Sequence, residues 1–248
     1  MKTTILLFAL ILFTGLLTLQ AQEQNEALTI LEKVDRNLSA QNRIFESSMT
    51  IHGRRTSRTI TSKSWSRGEK EALTEYLSPA SEAGTKMLKL EDQLWIYTPS
   101  ADRTIQISGH MLRQSVMGSD LSYEDMMDDR KLTEVYSAEV VARDTLGGER
   151  VMVLQLTARR GDVAYPVQKM WIDAEKFVPL RQEMYARSGQ LLKRVDLFEV
   201  RRIQDRWFPT RMVYRDMLKT GGGTEFTVSS IVFDTQIPEH IFSKASLR

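Results

Sequence analysis

Cysteine is absent from the 248 residues. The fold therefore has no disulfide staples, and a lipid-modified N-terminus, which needs a cysteine directly after the export cleavage site, is excluded. Histidine is scarce. His52, His110 and His240 stand far apart in the chain, and none lies near a carboxylate at metal-ligand spacing. No Gly-x-Ser-x-Gly, His-Glu-x-x-His or phosphate-binding loop occurs. No catalytic residue, metal or cofactor is expected. Asp125, Asp128 and Asp129 form a small acidic cluster, but the alternating Asp and Gly of a calcium loop are missing, so they read as a solvated helix face. Charge of one sign is also lacking, the formal net charge being +2. The basic runs Arg54–Lys63 and Arg194–Arg206 read as strand-surface charge, so no nucleic acid is expected as a partner. Gly/Ser/Pro linkers and internal repeats are missing too, which favours a single domain over residues 22–248.

Long apolar runs are confined to the N-terminus. Met1-Lys2 is a short positive region, Ile5 to Leu19 is apolar apart from Thr14, Gly15 and Thr18, and Leu19-Gln20-Ala21 offers a small residue for cleavage. The run is short and polar Gln22-Glu23-Gln24-Asn25 follows at once. This pattern is a secretory signal peptide over residues 1–21 rather than a membrane span. The mature chain is expected to be soluble and not lipidated.

The remainder is dominated by period-two alternation. From Val167 to Arg215, turns at Asp173–Lys176, Arg187-Ser188-Gly189 and Gln204-Asp205-Arg206 separate four strands, an antiparallel meander with one dry and one wet face. By itself this describes any β-sandwich or barrel wall. Further strands read at Met49–Ile51, Arg58–Trp65, Glu71–Leu77, Thr85–Leu90, Gln93–Thr98, Thr104–Ile107, Ala138–Asp144, Arg150–Thr157 and Glu225–Phe233. The clearest helix is Ala27 to Leu38, with Ala27, Ile30, Leu31, Val34 and Leu38 on one face and Asn25 placed to cap its start. Pro238 to Phe242 reads as a short terminal turn. The count is roughly a dozen strands and two or three helices, a mainly β, α+β chain: one strongly curved antiparallel sheet wrapped around helices, wide enough to enclose a ligand cavity.

Alternation also assigns faces. Leu88, Leu90, Leu180, Met184, Val195, Leu197, Phe208, Met212, Tyr214, Phe226 and Val228 are expected to line the interior, while Lys89, Arg181, Glu183, Arg194, Asp196, Arg211 and Arg215 are expected to face water. The alternation breaks at Gly109. Between there and Arg130, Leu112 and Val116 lie four apart, Ser122 with Asp125 makes a helix-start signal, and Met111, Met117, Met126 and Met127 accumulate. On residue pattern alone these are helices covering the open end of a sheet, with methionine filling gaps.

Two blocks carry a family resemblance. Met170-Trp171-Ile172-Asp173, Val178-Pro179-Leu180, Ser188-Gly189 and Trp207-Phe208-Pro209-Thr210 form one, and Met117-Gly118-Ser119-Asp120-Leu121-Ser122-Tyr123-Glu124-Asp125 forms the other. In order and spacing they resemble the LolA-like outer-membrane lipoprotein-sorting proteins of the periplasm, over nearly the whole mature chain. The resemblance implies a half-open antiparallel β-barrel closed by a helical lid, which makes Met111, Leu112, Val116, Met117 and Met126 lid residues. It implies a non-catalytic periplasmic carrier that holds lipoprotein acyl chains or free lipid in an apolar cavity for transfer towards the outer membrane. An inner-membrane transporter is the implied partner, and a monomer is expected. The alternative is a non-catalytic binding or sensor module that docks on a membrane exporter or signalling protein.

Export is checked by osmotic shock. The protein should leave the cell with the shock fluid and begin near Gln22 by N-terminal sequencing. Retention in the membrane pellet at high salt and alkaline pH would overturn the assignment.

Overall fold

The computed structural model describes residues 24–248. The expected signal peptide lies outside the described residues. Thirteen strands form one antiparallel sheet: β1 Asn42–His52, β2 Ser57–Arg67, β3 Glu71–Ser78, β4 Lys86–Leu90, β5 Gln93–Thr98, β6 Arg103–Ile107, β7 Tyr136–Leu146, β8 Glu149–Ala158, β9 Val167–Asp173, β10 Pro179–Tyr185, β11 Leu191–Ile203, β12 Arg206–Asp216 and β13 Thr224–Phe233. Each expected strand is present. β1 is much longer than Met49–Ile51, because Ser47 and Ser48 interrupt the apolar alternation while pairing to β2 runs on unbroken and pairing to β13 continues past a register shift between Glu46 and Ser47.

The spatial order is β6-β5-β4-β3-β2-β1-β13-β12-β11-β10-β9-β8-β7. Two meanders are thus joined at one seam, where β1 pairs with β13. β6 and β7 do not pair with each other, so the sheet is an open half-barrel. Residues 108–135 must therefore pass from one free edge to the other. This crossover holds 3-10 turns at Gly109–Arg113 and Val116–Gly118, a helix α2 at Tyr123–Met127 and a helix α3 at Leu132–Val135.

The N-terminal helix, α1, covers residues 24–38. Its buried stripe Ala27, Ile30, Leu31 and Val34 packs on Leu154, Leu156, Met170 and Ile172 of β8 and β9 and on Val135, Tyr136 and Ala138. Helical backbone already includes residue 24, so Asn25 lies inside the first turn rather than capping it, and its carbonyl accepts a bond from the Thr29 hydroxyl at 2.9 Å. Asp35, also buried, reaches across to α3 and accepts from the backbone N–H groups of Leu132 and Thr133 at 2.9 and 3.0 Å. It supplies the N-terminal cap that α3 lacks on its own chain segment.

The C-terminal 3-10 turns, Glu239–Phe242 and Lys244–Leu247, cover the outer face of β3–β5. Leu247 is buried against Leu73, Leu88 and Trp95, with Leu90, Trp65, Tyr97 and Ile241 around them. Leu88 and Leu90 therefore point outward, opposite to the expectation, and Lys89 between them points into the concavity. The alternation was read correctly but its sense was inverted, because the C-terminal turns make the outer face of β4 as dry as the inner one. A second correction falls on Leu180. The register between β9 and β10 slips between Pro179 and Arg181, and Pro179 takes the cavity position while Leu180 is half-buried away from it.

Leu88 has no solvent exposure. Leu88→Ala should destabilise the fold by about 2–5 kcal/mol through loss of buried surface and an unfilled cavity. Urea denaturation measures this.

Candidate ligand cavity

Two cavities occupy the concave side beneath the crossover. The first, about 230 Å³, is bordered by Phe45, Ser64, Ser66, Thr74, Met87 and Leu94 of β1–β5, by Leu121 and Met126 of the crossover, and by Tyr214 and Phe226 of β12 and β13. Arg43, Lys89 and Asp129 form its polar end. The second, about 280 Å³, is bordered by Met184, Val195, Leu197, Phe208, Met212 and Tyr214 of β10–β12, with Leu38 of α1 and Leu132 and Val135 of α3 on the opposite side. Asp125 and Tyr214 border both cavities.

Of the residues assigned to the interior by alternation, Met184, Val195, Leu197, Phe208, Met212 and Tyr214 thus meet in one cavity and Phe226 lies in the other. Val228 is buried on the same face, paired with Ser47, but borders neither. Met184, Val195 and Leu197 pack with Met212, Tyr214 and Tyr165. In the crossover, Met111, Leu112 and Met126 pack on Met87, Leu94, Ile96 and Ile107. Met117 and Met126 pack on Met49, Ile60, Tyr76 and Leu121, and Val116 is fully buried. On the outer face, Asp196 is not solvated. It is buried under Arg181, Arg194 and Arg215, with contacts of 2.8–2.9 Å. Burial pushes its carboxyl pKa up, but the bonds from Arg194 and Arg181 outweigh burial and hold it below the usual carboxylate range.

Of the polar residues that position the crossover, only the Ser122–Asp125 box was legible. Ser122 caps α2 and Asp125 closes the capping box, as the spacing indicated: Ser122 Oγ accepts from the Asp125 N–H at 3.2 Å, and the Asp125 carboxylate accepts from the Ser122 N–H at 2.6 Å. The same carboxylate also accepts from the Tyr165 hydroxyl at 2.6 Å and pairs with Lys193 of β11. Asp129 pairs with Arg43 at 2.5 Å and Asp128 with Arg130 at 2.8 Å. Asp125 and Asp129 of the acidic cluster are therefore tied to the sheet by ion pairs, while Asp128 pairs within the crossover, so the cluster is not simply a solvated helix face. Burial, reinforced by Asp125, pushes the Tyr165 hydroxyl far above its ordinary pKa, and burial does the same to Tyr214. Both stay protonated, Tyr165 donating to Asp125 and Tyr214 to the Met212 sulfur at 3.6 Å.

At the other end of the crossover, Asp120 accepts from the Asp216 N–H at 3.0 Å and the Thr224 hydroxyl at 2.7 Å, and its own N–H donates to Thr224 Oγ1 at 2.9 Å. Asp120 thereby staples the turn to the start of β13. Met117 and Gly118 both adopt left-handed backbone, with φ of 51° and 75°. Glycine takes this conformation freely, whereas methionine does so at a cost. The second cavity has its own polar strip: Gln182 Nε2 donates to Gln168 Oε1 at 2.5 Å, and Gln168 Nε2 donates to the Tyr136 hydroxyl at 2.6 Å. Burial pushes the Tyr136 hydroxyl pKa up to about 12, against the opposing bond from Gln168. Among the described residues, no group of three or more His, Asp and Glu could hold a metal ion, and no helix is long and apolar enough to cross a membrane.

Known proteins share this architecture. A family model described as an uncharacterized protein matches residues 68–248. No curated protein matches the chain. A solved structure from Vibrio parahaemolyticus, provisionally named an outer membrane lipoprotein-sorting protein domain, is 26% identical. The match covers 90% of this chain and 99% of that one, with a TM-score of 0.78. A LolA superfamily protein from Nitrosomonas europaea is also 26% identical, covering 89% and 98% of the two chains with a TM-score of 0.73. A DUF1329 family protein from Desulfovibrio piger has the same fold, with a TM-score of 0.83 at 22% identity over 91% and 99%.

Asp125→Ala would remove half of the capping box and leave the Lys193 ammonium buried without its partner. Losing one member of such a pair costs about 3–5 kcal/mol. Hydrogen exchange should accelerate across residues 109–130 while the β10–β12 meander keeps its protection. Equal protection of the crossover in both proteins would show that Asp125 does not hold it down.

Proposed function

We propose that this chain, which belongs to the family whose model matches residues 68–248 and is LolA-like in its likeness to outer-membrane lipoprotein-sorting structures, is a periplasmic carrier for acyl chains. The observation that carries the proposal is the second cavity. Side chains from three adjacent strands, Met184, Val195, Leu197, Phe208, Met212 and Tyr214, present an apolar wall to α3 and the crossover, flanked by Gln182 and Lys193. Lipoproteins or free lipids are the ligand class, and exchange with an inner-membrane transporter is the matching route of loading.

The volumes suit a lid that moves. At about 230 and 280 Å³, each cavity is smaller than the ~300–1,000 Å³ typical of small-molecule sites. Displacing α2 would merge them, since Asp125 and Tyr214 are their shared border. Burying an acyl chain gains about 0.8 kcal/mol per methylene, so one long chain yields on the order of 10 kcal/mol before costs. Breaking the crossover's polar contacts offsets part of that gain and keeps the cargo releasable.

Leu197→Asp puts an unpartnered carboxylate into the cavity wall, where a hydrocarbon chain cannot satisfy it. It should abolish binding of a fluorescent fatty-acid probe, whereas Arg201→Ala, at an exposed position further along the same strand, should leave binding unchanged. Circular dichroism must show both variants folded. Parental probe binding by folded Leu197→Asp would remove the cavity from the proposal. Mass spectrometry of organic extracts from protein isolated from its own host identifies the natural cargo.

A further inference from the structure

We infer that the ligand held here carries an anionic headgroup, and that Lys89, at the polar end of the first cavity, receives it. The inference rests on the carrier reading and specifies its ligand.

Lys89 is the residue whose direction in β4 is opposite to that expected from alternation. It points into the concavity with 6% of its surface exposed. Lysine is almost never this buried without a partner of opposite charge. Its ammonium donates to the backbone carbonyls of Glu69 and Met127. Both are neutral acceptors: they satisfy two of its three donors and none of its charge. The interior carboxylates are already committed. Asp129 pairs with Arg43 at 2.5 Å, Asp128 with Arg130 at 2.8 Å, and Asp125 with Lys193. Glu69, the remaining acid near the ammonium, acts on it more weakly than either Asp129 or Asp128. Burial, the largest influence, lowers the pKa of Lys89, as for a cation short of compensation. Among the described residues, no carboxylate forms a direct ion pair with the Lys89 ammonium, whose hydrogen-bond partners are the two carbonyls.

The position of that charge fits an amphiphile. Lys89 borders the first cavity, whose wall continues through Met87, Leu94, Met126 and Phe226. It also borders a surface cleft beneath α2, where Met127, Lys70 and Arg130 are neighbours and Glu124, Asp128 and Asp162 lie along the outer rim. A headgroup at the ammonium would thus sit where cavity and cleft meet, with its tail directed along the apolar wall. A neutral acyl ester would leave the charge uncompensated. A carboxylate or a phosphate monoester would form a charge-assisted hydrogen bond with the third donor.

The test compares headgroups on one tail, using the full mature chain. A fluorescent palmitate analogue should bind at least about tenfold more tightly than its methyl ester, the ratio expected for one added charged hydrogen bond. Lys89→Met should weaken the acid to the affinity of the ester and leave the ester unchanged. Competition by hexadecyl phosphate against palmitate then separates the two sources of the anion, the tighter competitor identifying the headgroup. Equal binding of acid and ester by the parent protein would overturn the inference without needing any variant, and so would equal weakening of both by Lys89→Met. Failure of the parent to bind either probe would instead remove the carrier reading itself.

Discussion

A sheet whose first and second halves meet at β1 and β13 leaves β6 and β7 at opposite free edges, and the chain has to cross between them. The crossover passes over an apolar concavity, and its backbone N–H and C=O groups cannot be left without partners there. Charged residues inside this half-barrel and at its exposed rim answer that need. Lys89 donates to the Met127 carbonyl, Arg58 to the Met117 carbonyl, and Lys219 to the Ser119 carbonyl, while Asp120 and Asp125 accept from N–H and O–H groups. The polar contacts under the crossover are thus a consequence of strand order. A closed barrel would need no such crossing and no such residues.

These same contacts make the crossover a layer seated by side chains rather than by a packed helical core of its own. Its helices have five and four residues, too short to be stable alone. Their apolar contribution comes mainly from methionines, which fill irregular gaps without fixing one packing. Such a layer can leave its seat as a unit while the sheet beneath keeps its hydrogen bonds. Local opening of this kind belongs at the low end of the stability range in a folded domain.

The strands and turns were legible because period-two alternation and glycine-containing turns are local signals. The Ser122–Asp125 box was legible for the same reason. What alternation could not supply was the sense of each face. In β2, the inward set is Ile60, Ser62, Ser64 and Ser66, all buried, while Trp65 faces outward under the C-terminal turns. In β4, Leu88 and Leu90 follow Trp65 outward and Lys89 goes in. Hydrophobicity marks the core side only where the other side is wet, and residues 239–247, distant in sequence, dry that other side. The slip at Pro179 is a second case, since a bulge moves every later side chain to the opposite face. The polar cavity residues Arg43, Gln168, Gln182 and Lys193 had no sequence signal, because each looks like an ordinary wet-face residue until its partner is in place.

The β1–β13 seam also governs the order in which this molecule can be assembled. Ile44 pairs with Val232 and Ile51 with Thr224, so the central pairing joins segments from nearly opposite ends of the chain. Contacts of such long sequence separation are slow to form, because the entropy of closing the intervening chain is lost before the pairing rewards it. The first meander, β1–β6, can form by local hairpins, but β1 then waits as an unpaired edge until β13 has arrived. An unpaired edge is a template for pairing with another copy. The most hazardous moment in the life of this fold is therefore the interval before its last strand docks, and any factor that shields the β1 edge during that interval would raise the yield of folded protein without altering its final stability.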